Sequence, residues 1–173
     1  MLQTIEDKIK TIGGLDPFWN IIYDGLRIVD RKPKHETEIH PTIHFLLFDQ
    51  ALAKNVLIIP EYSIAGGNLD FLITGNLKSG DRANVCVEFK LAHSKDIADG
   101  LIKQLPAYMR AKGYDFGLYC VLYFKGPNFS GPEEFSSIID MEIYLNNLKN
   151  QGGFENIRLF TIDVSQIIPP SRL

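Results

Sequence analysis

The stretch NVCVEFKLA, residues 84–92, decides the fold because it is an apolar run interrupted by two ionisable residues, Glu88 and Lys90. Its composition and length predict a strand in the centre of a β-sheet. Side chains alternate between the faces of a strand, so Glu88 and Lys90 point one way and Phe89 points the other. A central strand that carries an acid and a base on one face indicates a functional site.

Segments with the periodicity of strands and helices lie on both sides of this run. A strand hairpin precedes it, formed by VLIIPEYSI (56–64) and NLDFLIT (68–74) around the Gly66-Gly67 turn. A helix from about Ser94 to Gly113 follows it. The apolar strand DFGLYCVLYF (115–124), a helix over 135–150 and the strand NIRLFTIDV (156–164) come next.

Helices are predicted before the first strand, over residues 3–12, 17–31 and about 36–54. Pro17 suits a helix start, and Pro41 should lie in the first turn of its helix. The order of elements is that of a mixed α/β layer architecture. We expect a single domain over 1–173, with an N-terminal helical extension (1–35), a core (36–125) and a C-terminal helix and strand (126–173).

Composition and charge restrict the class of protein. The chain has 173 residues, 45% of them hydrophobic, which is enough for a real core. We see no apolar run of membrane-spanning length and no secretory signal, so we expect a cytoplasmic protein. Cys86 and Cys120 sit singly in apolar strands and are interpreted as buried free thiols. The net charge of −3 counts against a strongly basic nucleic-acid binder but permits a local basic patch.

Asp70, in the strand before Glu88, adds a second acid to the site. If the two strands pair, the Asp70 carboxylate can approach that of Glu88, and two carboxylates about 4 Å apart repel by up to ~4 kcal/mol at an effective dielectric near 20. Lys90 supplies one compensating charge. A divalent cation would supply two more, and carboxylate oxygens suit Mg²⁺ or Mn²⁺.

The ordered set of polar residues resembles the PD-(D/E)XK nuclease superfamily, in its RecB-type and lambda-exonuclease-like subgroup. That subgroup has a helix glutamate, then G-x-hydrophobic-D, E-x-K and Q-x-x-x-Y. The matching residues here are Glu38, Gly67-Asn68-Leu69-Asp70, Glu88-Phe89-Lys90 and Gln104-Leu105-Pro106-Ala107-Tyr108. The resemblance implies a restriction-endonuclease-like three-layer sandwich, with a mixed central β-sheet flanked by helices and an αβββαβ core.

The resemblance also implies a role for each matched residue. Asp70, Glu88 and the backbone carbonyl of Phe89 would hold the metal, and Lys90 would orient or activate the attacking water and stabilise developing charge. Glu38 would be an auxiliary metal ligand. Gln104 and Tyr108 would line the site and bind substrate phosphate.

Several alternatives stay open at this level. Glu38 is also placed well for a helix-start acid favoured by the helix dipole, and Glu61 is a rival acidic candidate. Pro41 and Pro106 leave the placement of Glu38 and of the Q-x-x-x-Y residues open. His40 and His44 are four residues apart, and we interpret them as a surface pair because no third metal ligand is apparent.

The predicted function is that of a nuclease dependent on Mg²⁺ or Mn²⁺ that acts on nucleic acid; DNA is favoured as the substrate, but the sequence does not distinguish DNA from RNA. The alternative is a non-catalytic nuclease-like module that binds a partner or nucleic acid within a larger complex. Endonuclease and exonuclease action are not distinguished. The acidic balance leads us to expect a homodimer or a partner subunit.

Overall fold

The computed structural model describes residues 3–11, 15–64, 67–126 and 129–165. The helices are α1 (Gln3–Thr11), α2 (Glu36–Ala53), α3 (Ile97–Asp99), α4 (Leu105–Lys112) and α5 (Ile138–Gln151). The strands are β1 (Trp19–Asp24), β2 (Arg27–Pro33), β3 (Val56–Ile64), β4 (Gly67–Asn76), β5 (Arg82–Leu91), β6 (Phe116–Tyr123) and β7 (Ile157–Asp163). A helix long and apolar enough to cross a membrane is not found among the described residues.

The central sheet has the strand order β3-β4-β5-β6-β7. β3, β4 and β5 pair antiparallel, whereas β5, β6 and β7 pair parallel, so the sheet is mixed. Side chains of α1 and α2 pack on one face, around Phe71 and Phe89. Side chains of α3, α4 and α5 pack on the other face, around Cys86 and Tyr119. The predicted three-layer α/β sandwich is therefore confirmed, and α2, β3, β4, β5, α3–α4 and β6 follow in the predicted core order.

The predicted helix over 17–31 is wrong. A short 3-10 turn (Asp16–Phe18) leads into β1, which forms an antiparallel two-stranded sheet with β2. Asp24 pairs with Arg27, which leaves a two-residue loop whose first residue, Gly25, has φ +60. Glycine tolerates that backbone conformation, and it is the preferred first loop residue of a type II′ hairpin turn. Among the described residues of the predicted N-terminal helical extension (1–35), α1 is an α-helix, whereas residues 19–24 and 27–33 are strands.

Both prolines in the core helices lie inside a helix. Pro41 is the sixth residue of α2, beyond the first turn where it was expected. Pro106 follows the π-helical turn Gly100–Gln104, which joins α3 to α4 in a continuous helix. Because proline has no backbone N–H, the helix cannot close its regular hydrogen bond at Pro106, and a wider turn precedes it.

The alternation of faces along β4 breaks at Asp70. Leu69 packs in the same cluster as Leu72, whereas Phe71 packs on the opposite face of the sheet. On the neighbouring strand β3, the residue between the pairs Pro60–Phe71 and Tyr62–Leu69 is Glu61, which has φ 48. The irregular backbone at this point takes Asp70 out of the regular ladder and frees its carboxylate to bond elsewhere.

Gly100 provides a test of the packing between the π-helical turn and the sheet. A Cβ atom on Gly100 would lie 2.7 Å from the Tyr119 hydroxyl oxygen and 3.1 Å from Cγ of Lys90. Tyr119 is fully buried, and its hydroxyl donates to the carbonyl of Ile97 at 2.5 Å. Because the ring cannot move easily, we predict that Gly100→Ala lowers the free energy of unfolding by about 1–3 kcal/mol, measured by urea denaturation.

A double substitution provides the control for this contact. Tyr119→Phe removes the oxygen that the new methyl group would meet, so the loss in Gly100→Ala/Tyr119→Phe should be smaller than the sum of the two single losses. Strictly additive losses would contradict the proposed contact.

Candidate active site

Glu88 and Lys90 lie on one face of β5 and are buried, with 3% and 8% of their surfaces exposed. The Lys90 ammonium donates to Glu88 Oε1 at 2.8 Å, to Glu36 Oε1 at 2.9 Å and to the carbonyl of Phe89 at 3.0 Å. An ammonium has three N–H donors, and all three are used here. The strand tolerates the buried lysine because its charge is paired with carboxylates and all of its donors are hydrogen-bonded.

Asp70 reaches β5 from the adjacent strand. Phe71 pairs with Val87, so Asp70 is next to this pair on the side of Glu88. Its Oδ2 accepts a 2.6 Å hydrogen bond from the backbone N–H of Phe89, a group that a regular ladder would bond to a carbonyl. The Asp70 charge also raises the pKa of Glu88. The structure thus brings together Asp70, Glu88 and Lys90, which were predicted to converge.

The helix acid of the site is Glu36 and not the predicted Glu38. The side chain of Glu38 turns back to accept a hydrogen bond from the backbone N–H of His35 at 2.9 Å, as part of a capping box. This bond satisfies an N–H that the first turn of a helix would otherwise leave without a partner. Glu38 is exposed and lies outside the cluster, so its role as auxiliary metal ligand does not fit the structure.

α2 contributes a second residue, His40, one turn after Glu36. Its Nε2 lies 3.6 Å from Asp70 Oδ1, and the imidazole is buried against Phe71. Glu36, His40 and Asp70 each offer a ligand atom, and these atoms all lie within 4.8 Å of one another. The interpretation of His40 as one of a surface pair was therefore wrong; His44 is half-buried and stacks on Phe71. Spacing of i and i+4 between Glu36 and His40 was the signal in the sequence that placed them on one helix face.

Two buried polar atoms of the cluster have no hydrogen-bond partner among the described residues, Glu88 Oε2 and His40 Nε2. Buried polar atoms without a partner are uncommon, so both atoms are candidates to bind a ligand. One atom is a carboxylate oxygen and the other is an imidazole nitrogen. Both are donors of electron pairs to metal ions.

The pKa values of the two strand acids are raised, chiefly by burial. Burial raises the pKa of Glu88 to about 8, and the Asp70 carboxylate adds to the effect. Burial also raises the pKa of Asp70 to about 7, although the Phe89 N–H opposes the shift. Burial lowers the pKa of Lys90, but the carboxylates of Glu88 and Glu36 outweigh it and hold that pKa above its ordinary value. Burial lowers the pKa of His40, which keeps its imidazole neutral and available as a ligand.

Tyr108 lies at the rim of the cluster, against the backbone at the start of β4. A Cβ atom on Gly67 would lie 2.7 Å from the Tyr108 hydroxyl oxygen, so only glycine leaves room for this ring. Burial and the charges of Glu88 and Asp70 raise the pKa of Tyr108. Two parts of the sequence pattern, the glycine before Asp70 and the tyrosine of Q-x-x-x-Y, are therefore in direct contact.

The remaining candidates lie farther from the cluster. Gln104 is exposed at the end of the π-helical turn. Glu61 is exposed and is not one of the residues whose ligand atoms lie close together. Its charge contributes to the raised pKa of Asp70 and partly opposes the lowering of the pKa of His40 by burial.

The chain is similar to a solved structure and to a protein family. Among solved structures, SfsA of Pyrococcus furiosus in complex with Ca²⁺ is similar at 14% identity, over 87% of this chain and 84% of that chain, with a TM-score of 0.46. No curated protein matches the chain. A family model described as a domain of unknown function, DUF8371, matches residues 2–126. Since that match covers well over half of the sequence, the chain belongs to the DUF8371 family.

Proposed function

We propose that this protein is a metal-dependent phosphodiesterase that cleaves nucleic acid, with DNA as its substrate. The observation that carries the proposal is the cluster of Glu36, Asp70 and Glu88 close to one lysine, at the point where β4 and β5 leave their regular pairing. Glu88 is buried and the other two acids are partly buried. Three such acids with one ammonium leave excess negative charge, which a divalent cation would offset. The PD-(D/E)XK-like pattern of Asp70, Glu88 and Lys90 supports the same chemistry.

Glu36, His40 and Asp70 would hold the metal, since their ligand atoms are mutually close, and the free oxygen of Glu88 lies in the same cluster. Carboxylates alone suit Mg²⁺ and Mn²⁺ equally, but an imidazole is a poor ligand for Mg²⁺. We therefore expect Mn²⁺ to bind more tightly than Mg²⁺. When bound, the ion would lower the pKa of its water and neutralise phosphoryl oxygens.

Lys90 would act as a hydrogen-bond donor and a fixed positive charge. Its pKa is held above its ordinary value by Glu88 and Glu36, so it stays protonated in the metal-free protein. A protonated amine that three oxygens hold in place is suited to stabilise charge on the phosphoryl group. Tyr108, at the rim, would bind the phosphate next to the one attacked, and Gln104, exposed one helical turn before it, would bind a phosphate farther along the strand.

Two glutamates at the start of α2 provide a matched pair for a nuclease assay. We predict that Glu36→Gln lowers the rate of DNA cleavage with Mn²⁺ by at least about a hundredfold, because it removes a ligand oxygen and a partner of Lys90. Glu38→Gln should retain the wild-type rate within about threefold, because an amide oxygen can still cap the helix. Glu88→Gln and Lys90→Ala should abolish cleavage.

The assay should use linear, circular, single-stranded and double-stranded substrates. Loss of activity in Glu38→Gln with full activity in Glu36→Gln would contradict the proposed site. Metal binding without cleavage of any substrate would favour the non-catalytic module instead.

The pH dependence of metal stabilisation is a second test. Because the folded-state pKa values of Glu88 (about 8) and Asp70 (about 7) lie above ordinary carboxyl values, the metal-free folded protein binds more protons than the unfolded chain between about pH 4 and pH 8. Its stability should therefore fall as pH rises through this range. Mn²⁺ replaces those protons, so we predict a larger rise in melting temperature on adding Mn²⁺ at pH 8 than at pH 6.

Thermal unfolding with Mn²⁺ or with EDTA measures the effect, and Asp70→Asn is the control that should respond little at either pH. A rise in melting temperature that is equal at the two pH values, or absent, would overturn the assignment of these carboxyls to a metal site.

A further inference from the structure

The hairpin of β1 and β2 stands apart from the central sheet as a two-stranded sheet of its own. We call residues 19–35, which comprise this hairpin and the two residues after it, the arm. Its outer part is apolar yet exposed: Leu26 at the turn is fully exposed, and Ile22, Tyr23 and Val29 are between 42% and 58% exposed. Large apolar side chains on a projecting turn indicate a contact surface.

The root of the arm, in contrast, is fixed to the core. Trp19 is 2% exposed, and its indole N–H donates to the carbonyl of Val164 at 3.0 Å. The backbone N–H of Lys34 donates to the carbonyl of Phe18 at 3.0 Å, which ties the second strand to the same place. A strand of six residues is about 20 Å long, so the arm reaches about that far from a rigid base.

The arm is basic although the whole chain is acidic. It contains four basic residues (Arg27, Arg31, Lys32 and Lys34) and two acids (Asp24 and Asp30), for a net charge of +2. Because the chain has a net charge of −3, all other residues together carry −5. Lys32 is exposed, and its Nζ lies 3.4 Å from Asp30 Oδ2. Such a surface ion pair is weak, so the Lys32 ammonium can bind a phosphate instead. The positive charge is thus concentrated on one projecting element.

The arm leads directly into the proposed active site. β2 ends at Pro33 and α2 begins at Glu36, whose carboxylate bonds to Lys90. Lys34 lies between them. A polyanion that follows the basic residues of the arm would therefore arrive at the cluster.

We propose that the arm binds double-stranded DNA, with its two strands in a groove and its basic side chains on the flanking phosphates. Two strands about 4.8 Å apart fit the major groove, which is about 12 Å wide. Arg27, Lys32 and Lys34 contact phosphates, and the apolar turn at Leu26 packs against sugars or base edges. This inference rests on the proposed nuclease function and specifies its substrate as a duplex.

Binding is tested apart from cleavage, with a fluorescent 30-base-pair duplex, Ca²⁺ in place of Mn²⁺ and increasing salt. We expect the triple variant Arg27→Ala/Lys32→Ala/Lys34→Ala to bind the duplex at least about tenfold more weakly. The slope of the logarithm of the binding constant against the logarithm of the salt concentration should be less steep, by the amount expected for the loss of about three phosphate contacts. Leu26→Ser should weaken binding without changing the salt dependence. The same protein should bind the matching single strand less tightly than the duplex.

The control removes three positive charges from the opposite end of the sheet. Lys54→Ala/Lys78→Ala/Arg158→Ala should keep duplex affinity within about threefold, because these exposed residues lie at or shortly before the starts of β3, β5 and β7. Equal loss in both triple variants, or none in the arm variant, would overturn the proposal. So would a preference for the single strand.

Hydrolysis of bis(p-nitrophenyl) phosphate with Mn²⁺ separates this inference from the proposed function. The small diester reaches the metal cluster without touching the arm, so the arm variant should hydrolyse it at the wild-type rate. An arm variant that loses duplex binding while neither protein hydrolyses the diester supports the arm and counts against the nuclease. If the wild type and the arm variant both hydrolyse the diester and bind the duplex equally well, the result supports the nuclease and counts against the arm.

Discussion

The ammonium of Lys90, held by two carboxylates and a carbonyl inside the sheet, is the interaction on which the site depends. Buried acids repel one another strongly and are destabilising without a counter-charge. Lys90 offsets only part of that cost, which is why the pKa values of Glu88 and Asp70 remain raised. Three elements converge on this point: β5 supplies the pair, β4 supplies Asp70 at its irregularity, and α2 supplies Glu36.

Much of the fold follows from the sequence because its central elements have clear periodicities. Apolar runs that end at glycines predict both the antiparallel hairpin before β5 and the strand after α4. The hairpin of β1 and β2 was mistaken for a helix because Phe18, Ile21 and Ile22 also fit a helical spacing. Ile22, Tyr23 and Asp24, the outer residues of β1, are all exposed, so the outer half of this strand does not show the alternation that marks a half-buried strand. The Asp24-Gly25 turn, with φ +60 at Gly25, decides between the two structures.

The strand residues of the site were predictable and the helix residues were not. Asp70, Glu88 and Lys90 lie on paired strands, where spacing fixes the face on which each side chain lies. On α2, the rotation of the helix about its axis depends on how Ile39 and Ile43 pack against the sheet, which spacing alone does not define. The capping box with His35 then engages Glu38, and Glu36 and His40 face Asp70. The irregular backbone at Glu61 and Asp70 is equally invisible in the sequence, since it arises from tertiary pairing.

The claim that the cluster is a metal centre built partly by α2 is tested most directly by pulsed electron paramagnetic resonance of the Mn²⁺-loaded protein. The structure predicts coupling to one imidazole nitrogen, which is lost in His40→Gln and retained in His44→Gln, four residues along the same helix. A bound Mn²⁺ without nitrogen coupling, or a coupling that survives the loss of His40, would contradict the account.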